Sequence, residues 1–374
     1  MVFLIERNEF QIRLEKIQAL LKKNENSGLI VTLGVNFQYL LGVDVEISER
    51  LVAAIISPKN PVKILTPSFE VENFAKKTEL PKDQIIGWEE TEDPFKLLSE
   101  EIKSLGLDDG SIALSPKCPF SFYRKIQTNL PKTPFVDALP ILNVARITKT
   151  EKEIELLKKA SEFSARGIEA GFEKLQKGIT ELEMAKIIDH ELSRRSGEKS
   201  AFIIVQFGKN TAYPHGLPSQ KKLGINEPVL IDAGTSFGGY IGDITNTTFF
   251  GKPNKDFLDV YDAVEKANQL GIRASHDGAL PEDVDAAARN YLNDKGYGKY
   301  FTHRLGHGVG LEVHEEPYIV KGNKIPLRLN QFHTVEPGVY IVDKFGIRIE
   351  DDVIVGKENG LVASKPIRRY WEKA

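Results

Sequence analysis

Residues 229–250, VLIDAGTSFGGYIGDITNTTFF, place two aspartates, Asp232 and Asp243, inside apolar strand-like runs on either side of a glycine-rich turn. Taken singly, an aspartate near glycine is an ordinary turn residue. A carboxylate in a strand core, however, is costly unless it is paired or bound to a cation. Folding the two runs into a hairpin brings the aspartates close together and adds like-charge repulsion, which a cation between them would relieve.

The same anomaly recurs further on. Glu336 stands in TVEPG (334–338) and Glu350 in IRIED (347–351), again on strand-like runs separated by a turn, here at 344–346. Each glutamate alone reads as a surface residue or a salt-bridge partner. Between the two acidic pairs lies RLGHGVGLEVHEEP (304–317), with His307 flanked by Gly306 and Gly308, whose lack of side chains lets other groups approach closely. A phosphate-cradling reading of GHGVG would need a preceding strand, a following helix and a Lys-Ser/Thr pair, whereas the stretch runs into LEVHEEP. Four carboxylates and one imidazole suit two divalent metals, whose charges they balance. Oxygen ligands with a single nitrogen favour Mn²⁺, Co²⁺, Fe²⁺ or Zn²⁺ over softer ions, and ligand type does not choose among them.

The rest of the chain sets the frame. Its 374 residues are enough for two domains. A net charge of −3, from 50 basic and 53 acidic side chains, gives no general field for nucleic acid or anionic membrane. Cys118 is the sole cysteine, which excludes an intrachain disulfide and a cysteine zinc cluster and suits a reducing compartment, with the cytoplasm as the expectation. The opening MVFLIERNEF lacks a basic leader and a cleavage site, and no stretch has the apolar length of a membrane span.

Asn8 with Gln11 reads as a helix start, the helix running to about Lys22. Strand-like runs follow at 28–33, 51–56 and 62–66, with helical stretches near 69–77 and 94–105, giving a mixed α/β domain. Pro131, Pro134 and Pro140 punctuate the chain, and the boundary is placed near residue 140. Beyond it, Thr148 with Glu151 marks a capping box for a long helix carrying Ile154, Leu157, Ile168, Phe172 and Leu175 on one stripe and ending at Gly178. Thr180 with Glu183 caps a second helix. Strands are then expected at 202–208, 228–234 and 240–251, helices near 255–275 and 282–295, and strands at 333–342 and 346–355. The carboxy-terminal part thus has two halves of similar make-up without a detectable repeat.

VLIDAG to GDITNT, GHGVGLEVHEEP, VEPG and IRIED occur in the order found in the pita-bread metallopeptidases, and the chain resembles their Xaa-Pro branch, prolidase and aminopeptidase P. The resemblance implies an α+β architecture: a creatinase/prolidase-like mixed α/β amino-terminal domain, residues 1–140, followed by a pita-bread catalytic domain of two pseudo-symmetric halves, residues 141–374. It implies that Asp232 is a terminal ligand of one metal, that His307 and Glu336 bind the other, and that Asp243 and Glu350 bridge them. His303 and His314 would contact the scissile carbonyl and its tetrahedral intermediate. His215, in AYPHGLP (212–218), would lie near the proline side of the substrate, Glu336 would shuttle the proton of the attacking water, and Arg348 would orient Glu350 or the substrate.

The implied activity is hydrolysis of the Xaa-Pro bond by a dinuclear-metal dipeptidase, with manganese first and cobalt, zinc or iron as alternatives, on peptides with proline in the second position. The alternatives are an aminopeptidase P acting on Xaa-Pro-Yaa peptides, a metal-free creatinase-like hydrolase, or a non-enzymatic binding module. The last two would be expected to have lost metal ligands. A homodimer is the family expectation. There are departures: some dipeptide-restricted prolidases carry an arginine soon after the histidine-glutamate pair, where Pro317 and Tyr318 stand here, leaving Lys321, Lys324 or Arg328 as substitutes. Asn246 stands where many relatives have arginine. His190, His276 and His333 match no motif position.

Overall fold

Short β-branched runs alternate with helix-forming stretches through the first part of the chain, and they assemble in the computed structural model, which describes residues 4–44 and 48–372, into a mixed sheet flanked by helices. The elements in order are α1 (Arg7–Lys23), β1 (Asn26–Thr32), α2 (Val35–Leu41), β2 (Ala53–Ile56), β3 (Lys63–Pro67), α3 (Val71–Thr78), β4 (Ile85–Trp88), α4 (Pro94–Ser104), β5 (Ser111–Leu114), α5 (Phe120–Asn129), β6 (Phe135–Asp137) and α6 (Leu139–Arg146). The sheet order is β4-β3-β2-β1-β5-β6. Consecutive residues Leu29, Ile30 and Val31 on β1 are all buried, as a central strand covered on both faces requires.

Some local expectations shift by a few residues. α1 starts at Arg7 behind Glu6, with no side-chain cap, and Gln11 instead donates to Glu15 Oε1 at 2.9 Å. α4 is fixed at its start by Asp93, whose side chain accepts from the backbone of Phe95 and Lys96, and by Pro94 at the first helical position. The chain divides into two compact units after Arg146 rather than near 140. The reason is α6: Tyr39 donates to the Ala145 carbonyl at 2.9 Å and Arg146 to Asn36 Oδ1 at 2.8 Å, which binds that helix to the first unit.

The second unit opens with α7 (Glu151–Glu173), whose capping box is Thr150 with Glu153 rather than Thr148 with Glu151. Thr148 is held extended by a bridge to Gln331, so the helix cannot begin there. α8 (Glu181–Ser196) is capped by Thr180 and Glu183 and stops at Gly197 in the left-handed conformation. β7 (Ser200–Phe207), β8 (Glu227–Phe237) and β9 (Tyr240–Phe250) form an antiparallel sheet. The turn joining β8 to β9 uses Gly238 and Gly239, both at positive φ, as a tight hairpin demands.

The second half repeats the order of helix, helix and strands. α9 (Lys255–Ala274) and α10 (Pro281–Asp294) precede β10 (Gly306–Gly308), β11 (Glu315–Ile319), β12 (Phe332–Val335), β13 (Gly338–Ile341), β14 (Phe345–Arg348), β15 (Asp351–Ile354) and β16 (Leu361–Val362). The runs expected at 333–342 and 346–355 are each broken in two. β12 and β15 belong to a sheet ordered β11-β10-β12-β15-β16, while β13 and β14 form a separate ribbon. The breaks fall at Glu336–Pro337 and Ile349–Glu350. Pro337 has no N–H to extend the ladder. Each half has its own apolar core, one around Ile168, Ile188 and Val229, the other around Val264, Leu292 and Val353. No helix among the described residues is long and apolar enough to cross a membrane.

Gly242, one residue before Asp243, sets how closely β9 approaches α7. A Cβ there would lie 2.3 Å from the Ser161 nitrogen and 2.4 Å from the Ala160 carbonyl carbon, both backbone atoms. Gly242→Ala is therefore expected to cost about 3 kcal/mol, at the upper end for overpacking, and to lower the Tm by roughly 6–12 °C. A thermal melt within a degree of the wild type would contradict the packing described.

Candidate metal centre

The β8–β9 register pairs Asp232 with Thr245 and Gly234 with Asp243. Side chains alternate along a strand, so Asp232, Asp243 and Thr245 share one face. The second half supplies the rest: His307 from β10, Glu336 after β12 and Glu350 before β15. Glu350 is tied across to the first half by its backbone N–H, which donates to the Thr245 carbonyl at 3.0 Å, and by the Thr245 hydroxyl, which donates to Glu350 Oε2. Ligand atoms of Asp243, His307 and Glu350 come within 4.8 Å of one another, and all three residues are buried.

His307 is packed where only glycine neighbours fit. A Cβ on Gly306 would meet the Thr334 carbonyl oxygen at 2.0 Å, and one on Gly308 the Glu316 carbonyl oxygen at 2.2 Å. Its Nδ1 donates to the Gly308 carbonyl at 3.1 Å, which leaves Nε2 facing the carboxylates, 3.3 Å from Glu336 Oε1 and 3.8 Å from Asp243 Oδ2. The backbone N–H of His307 donates to Thr334 Oγ1 at 3.2 Å, and that hydroxyl donates to Glu336 Oε1 at 3.3 Å.

The electrostatics are those of a site short of positive charge. Burial, then the charges of Asp232, Asp352 and Glu336, push the Asp243 carboxyl well above the usual range. Burial, then Asp243, Glu336 and Asp232, do the same to Glu350. Asp232 is raised by burial in spite of Arg348. Glu336 goes the other way: burial opposes its charge, but the contact with His307 and the positive charges of His307, His303 and Arg348 hold it down to about 2. Asp232 Oδ2 accepts from Arg348 Nη2 at 2.6 Å, while Oδ1 is buried without a hydrogen-bond partner among the described residues. A buried carboxylate oxygen without a donor, beside carboxylates that repel one another and one imidazole nitrogen, fits divalent metal ions.

Arg348 lies behind the ligands. It is 3% exposed, and beyond Asp232 its guanidinium donates to Thr245 Oγ1 at 3.0 Å, to the Tyr340 hydroxyl at 2.9 Å and to the Pro214 carbonyl at 3.2 Å. It contacts Asp232 directly and is linked to Glu350 through Thr245. His303 is engaged at both ring nitrogens, Nδ1 with the Arg304 carbonyl at 2.7 Å and Nε2 with the Tyr340 hydroxyl at 3.0 Å. Its pKa is lowered by burial against the pull of Glu336. Its Nε2 thus lies beside the same hydroxyl that Arg348 holds.

His314 is solvent-accessible, with its ring perpendicular to that of His307 at 4.2 Å between centroids. Burial, then the charges of His307 and Arg304, lower its pKa to about 4. The loop carrying it is anchored by the next residue: Glu315 accepts from buried Lys149 at 2.7 Å. His215 is exposed, on the loop that follows the turn at 208–212, close enough that its charge opposes protonation of both His303 and His314. Behind Asp243, the Asp352 carboxylate accepts the Asp243 backbone N–H at 2.9 Å and the Ser161 hydroxyl at 2.6 Å. Thr245, Tyr340 and Asp352 were missed in the sequence. Only Thr245 carried a signal, its place two residues after Asp243 on the same strand face.

Two hairpins and a glycine-flanked histidine that gather four carboxylates and an imidazole behind an arginine define a metal-dependent hydrolase of the pita-bread fold. Residues 155–357 match metallopeptidase family M24, and residues 13–148 match the Creatinase/Prolidase N-terminal domain. The chain belongs to metallopeptidase family M24 and is a peptidase. It is 32% identical to an Xaa-Pro dipeptidase of Lactobacillus helveticus, over 93% of this chain and 95% of that one. Its structure is similar to that of a prolidase from Thermococcus sibiricus, with a TM-score of 0.90 at 32% identity over 96% and 98% of the two chains. An X-Pro aminopeptidase from Thermotoga maritima superimposes with a TM-score of 0.84 at 28% identity over 95% and 98%.

Proposed function

We propose that this chain hydrolyses the peptide bond between an amino-terminal residue and proline, as an Xaa-Pro dipeptidase working with two divalent metal ions, manganese first and cobalt, zinc or iron as alternatives. The observation that carries the reading is the convergence of Asp232, Asp243, His307, Glu336 and Glu350, with Asp232 Oδ1 buried and without a donor. When bound, such a metal pair supplies a nucleophile from water near neutral pH and polarises the scissile carbonyl. Asp232 is assigned to one metal, His307 and Glu336 to the other, and Asp243 and Glu350 to both.

The chain's own groups do the rest. Glu336, whose Oε1 lies 3.3 Å from His307 Nε2, accepts the proton of the attacking water. His314, neutral above about pH 4, presents an imidazole N–H to the carbonyl oxygen. Arg348 fixes Asp232, and the Tyr340 hydroxyl, held between Arg348 and His303, fixes that arrangement in turn. His215 is assigned to the proline side of the substrate. The assignment of a creatinase/prolidase-like amino-terminal domain followed by the catalytic domain belongs to the same proposal, as do a homodimeric state and a cytoplasmic location.

The complete ligand set speaks against a metal-free hydrolase and against a binding module. Aminopeptidase P activity on longer peptides is the second reading, supported by the likeness to the Thermotoga maritima enzyme. The test is to strip the purified protein with chelator and follow cleavage of Xaa-Pro and Xaa-Pro-Yaa peptides on adding back Mn²⁺, Co²⁺ or Zn²⁺. Metal-dependent cleavage of the dipeptide is expected, with the tripeptide slower; cleavage of neither would refute the reading, and a preference for the tripeptide would favour the second.

A further inference from the structure

The buried face of α9 is apolar at Phe257, Val260, Val264 and Ala267, and an amide stands in the middle of it: Asn268 is 0% exposed. Such a group is costly to bury unless each of its polar atoms is bonded. Asn268 meets that demand in one orientation. Its Nδ2 donates to the Val335 carbonyl at 2.9 Å and, over a longer 3.5 Å, to the Ile349 carbonyl, while Oδ1 accepts from Arg368 Nη2 at 3.1 Å. Gly271 lets the helix come this close, since a Cβ there would stand 2.7 Å from Val335 Cγ1. Arg368 is held in turn by Asp351, to which it donates, and by Glu265 at 3.6 Å.

The two carbonyls belong to particular peptide units. Val335 precedes Glu336 and Ile349 precedes Glu350, so each carbonyl shares one planar unit with the N–H of a proposed metal ligand. Those N–H groups have partners of their own: Glu336 donates to the Leu305 carbonyl at 2.8 Å and Glu350 to the Thr245 carbonyl at 3.0 Å. Each unit is therefore held at both ends, and one side chain holds the carbonyl end of both. Glu336 and Glu350 both fall between strands, where the ladders do not fix the backbone.

On the ligand reading given above, we infer that Asn268, oriented by Arg368, is a positioning residue of the metal centre: it sets the peptide units from which Glu336 and Glu350 project, and so the spacing of the two carboxylates. It acts through the backbone. An amide that only satisfied two buried carbonyls would affect stability alone, whereas one that sets ligand spacing affects metal affinity as well.

The experiment titrates Mn²⁺, and Co²⁺ in parallel, into the chelator-stripped wild type, Asn268→Leu, Arg368→Gln and Val264→Ala by calorimetry, with a thermal melt of each stripped protein. Asn268→Leu keeps the shape and loses both donors, and its metal affinity is expected to fall roughly tenfold to a hundredfold, the range for groups that orient metal ligands. Val264→Ala opens a cavity in the apolar face of the same helix and is expected to lower the Tm with metal affinity unchanged. Wild-type affinity in a folded Asn268→Leu, or an equal loss of affinity in Val264→Ala, would overturn the inference and leave the peptidase reading intact. Should Asn268→Leu fail to fold, Arg368→Gln decides: releasing the Asn268 amide is expected to weaken metal binding, and an unchanged affinity would overturn the inference. If the wild type binds neither ion, the ligand reading falls and the inference falls with it.

Discussion

Replacing His307 with alanine is expected to lower kcat/KM on an Xaa-Pro substrate by roughly a thousandfold or more, because a metal centre supplies several kcal/mol of transition-state stabilisation and each 1.4 kcal/mol is about tenfold in rate. His307 is the sole nitrogen donor among the five proposed ligands. It is also the one whose orientation is fixed most completely, by Nδ1 on the Gly308 carbonyl, by its backbone N–H on Thr334, and by two glycines that allow Thr334 and Glu316 to close around it. Its Nε2 lies 3.3 Å from Glu336 Oε1. Metal content measured on the purified variant should fall together with activity, while the thermal melt of the metal-free form should change little, since the ring leaves a polar site and not an apolar core. Full activity in His307→Ala would overturn the ligand assignment.

Chelation is expected to destabilise the protein, and to do so more at pH 8 than at pH 6. The sign follows from the raised carboxyls. Asp243 and Glu350 have folded pKa values well above their unfolded ones, so the metal-free folded state holds protons that the unfolded state has released. Their contribution to stability is therefore full below the ordinary carboxylate range and is lost as pH rises through the raised folded values, by roughly 1.4 kcal/mol per pH unit for each group within that window. Asp352, raised by burial to about 7, adds to the same trend. Glu336, depressed to about 2, has the opposite dependence, but its window lies below the ordinary carboxylate range and outside the pH interval compared. Bound cations take over the role of those protons, so the metal-loaded protein should melt at a temperature nearly independent of pH between 6 and 8, and the stripped protein several degrees lower at the upper end. A stripped protein whose Tm rises from pH 6 to pH 8, or that gains nothing from added Mn²⁺, would contradict the electrostatics of the site.

The carboxylates proposed as ligands stood out in the sequence because charge inside a strand-like apolar run is an anomaly with few physical resolutions, and His307 because glycines on both sides imply close packing. The two similar halves and the β8–β9 hairpin followed from periodicity and turn chemistry. Other features were decided by contacts that local sequence does not carry. Thr148 with Glu151 and Thr150 with Glu153 satisfy the same capping pattern, and only the bridge from Thr148 to Gln331 selects the second. The breaks at Glu336 and Glu350 lie within runs that read as continuous strands, because strand propensity does not register that the flanking pieces join different sheets. Arg348 was recognised as relevant, but its hydrogen-bond partner Asp232 is distant in the chain, and nothing in IRIED points to that contact.

The crowding of carboxylates has a consequence for how such a sequence changes over generations. A neutral residue in place of Asp243 or Glu350 would remove a burial penalty and a repulsion while leaving both hairpins and both apolar cores as they are. Architecture and chemistry thus favour opposite outcomes at these positions. Folding alone gives no reason to keep these carboxylates, so their retention belongs to the proposed chemistry and not to the scaffold.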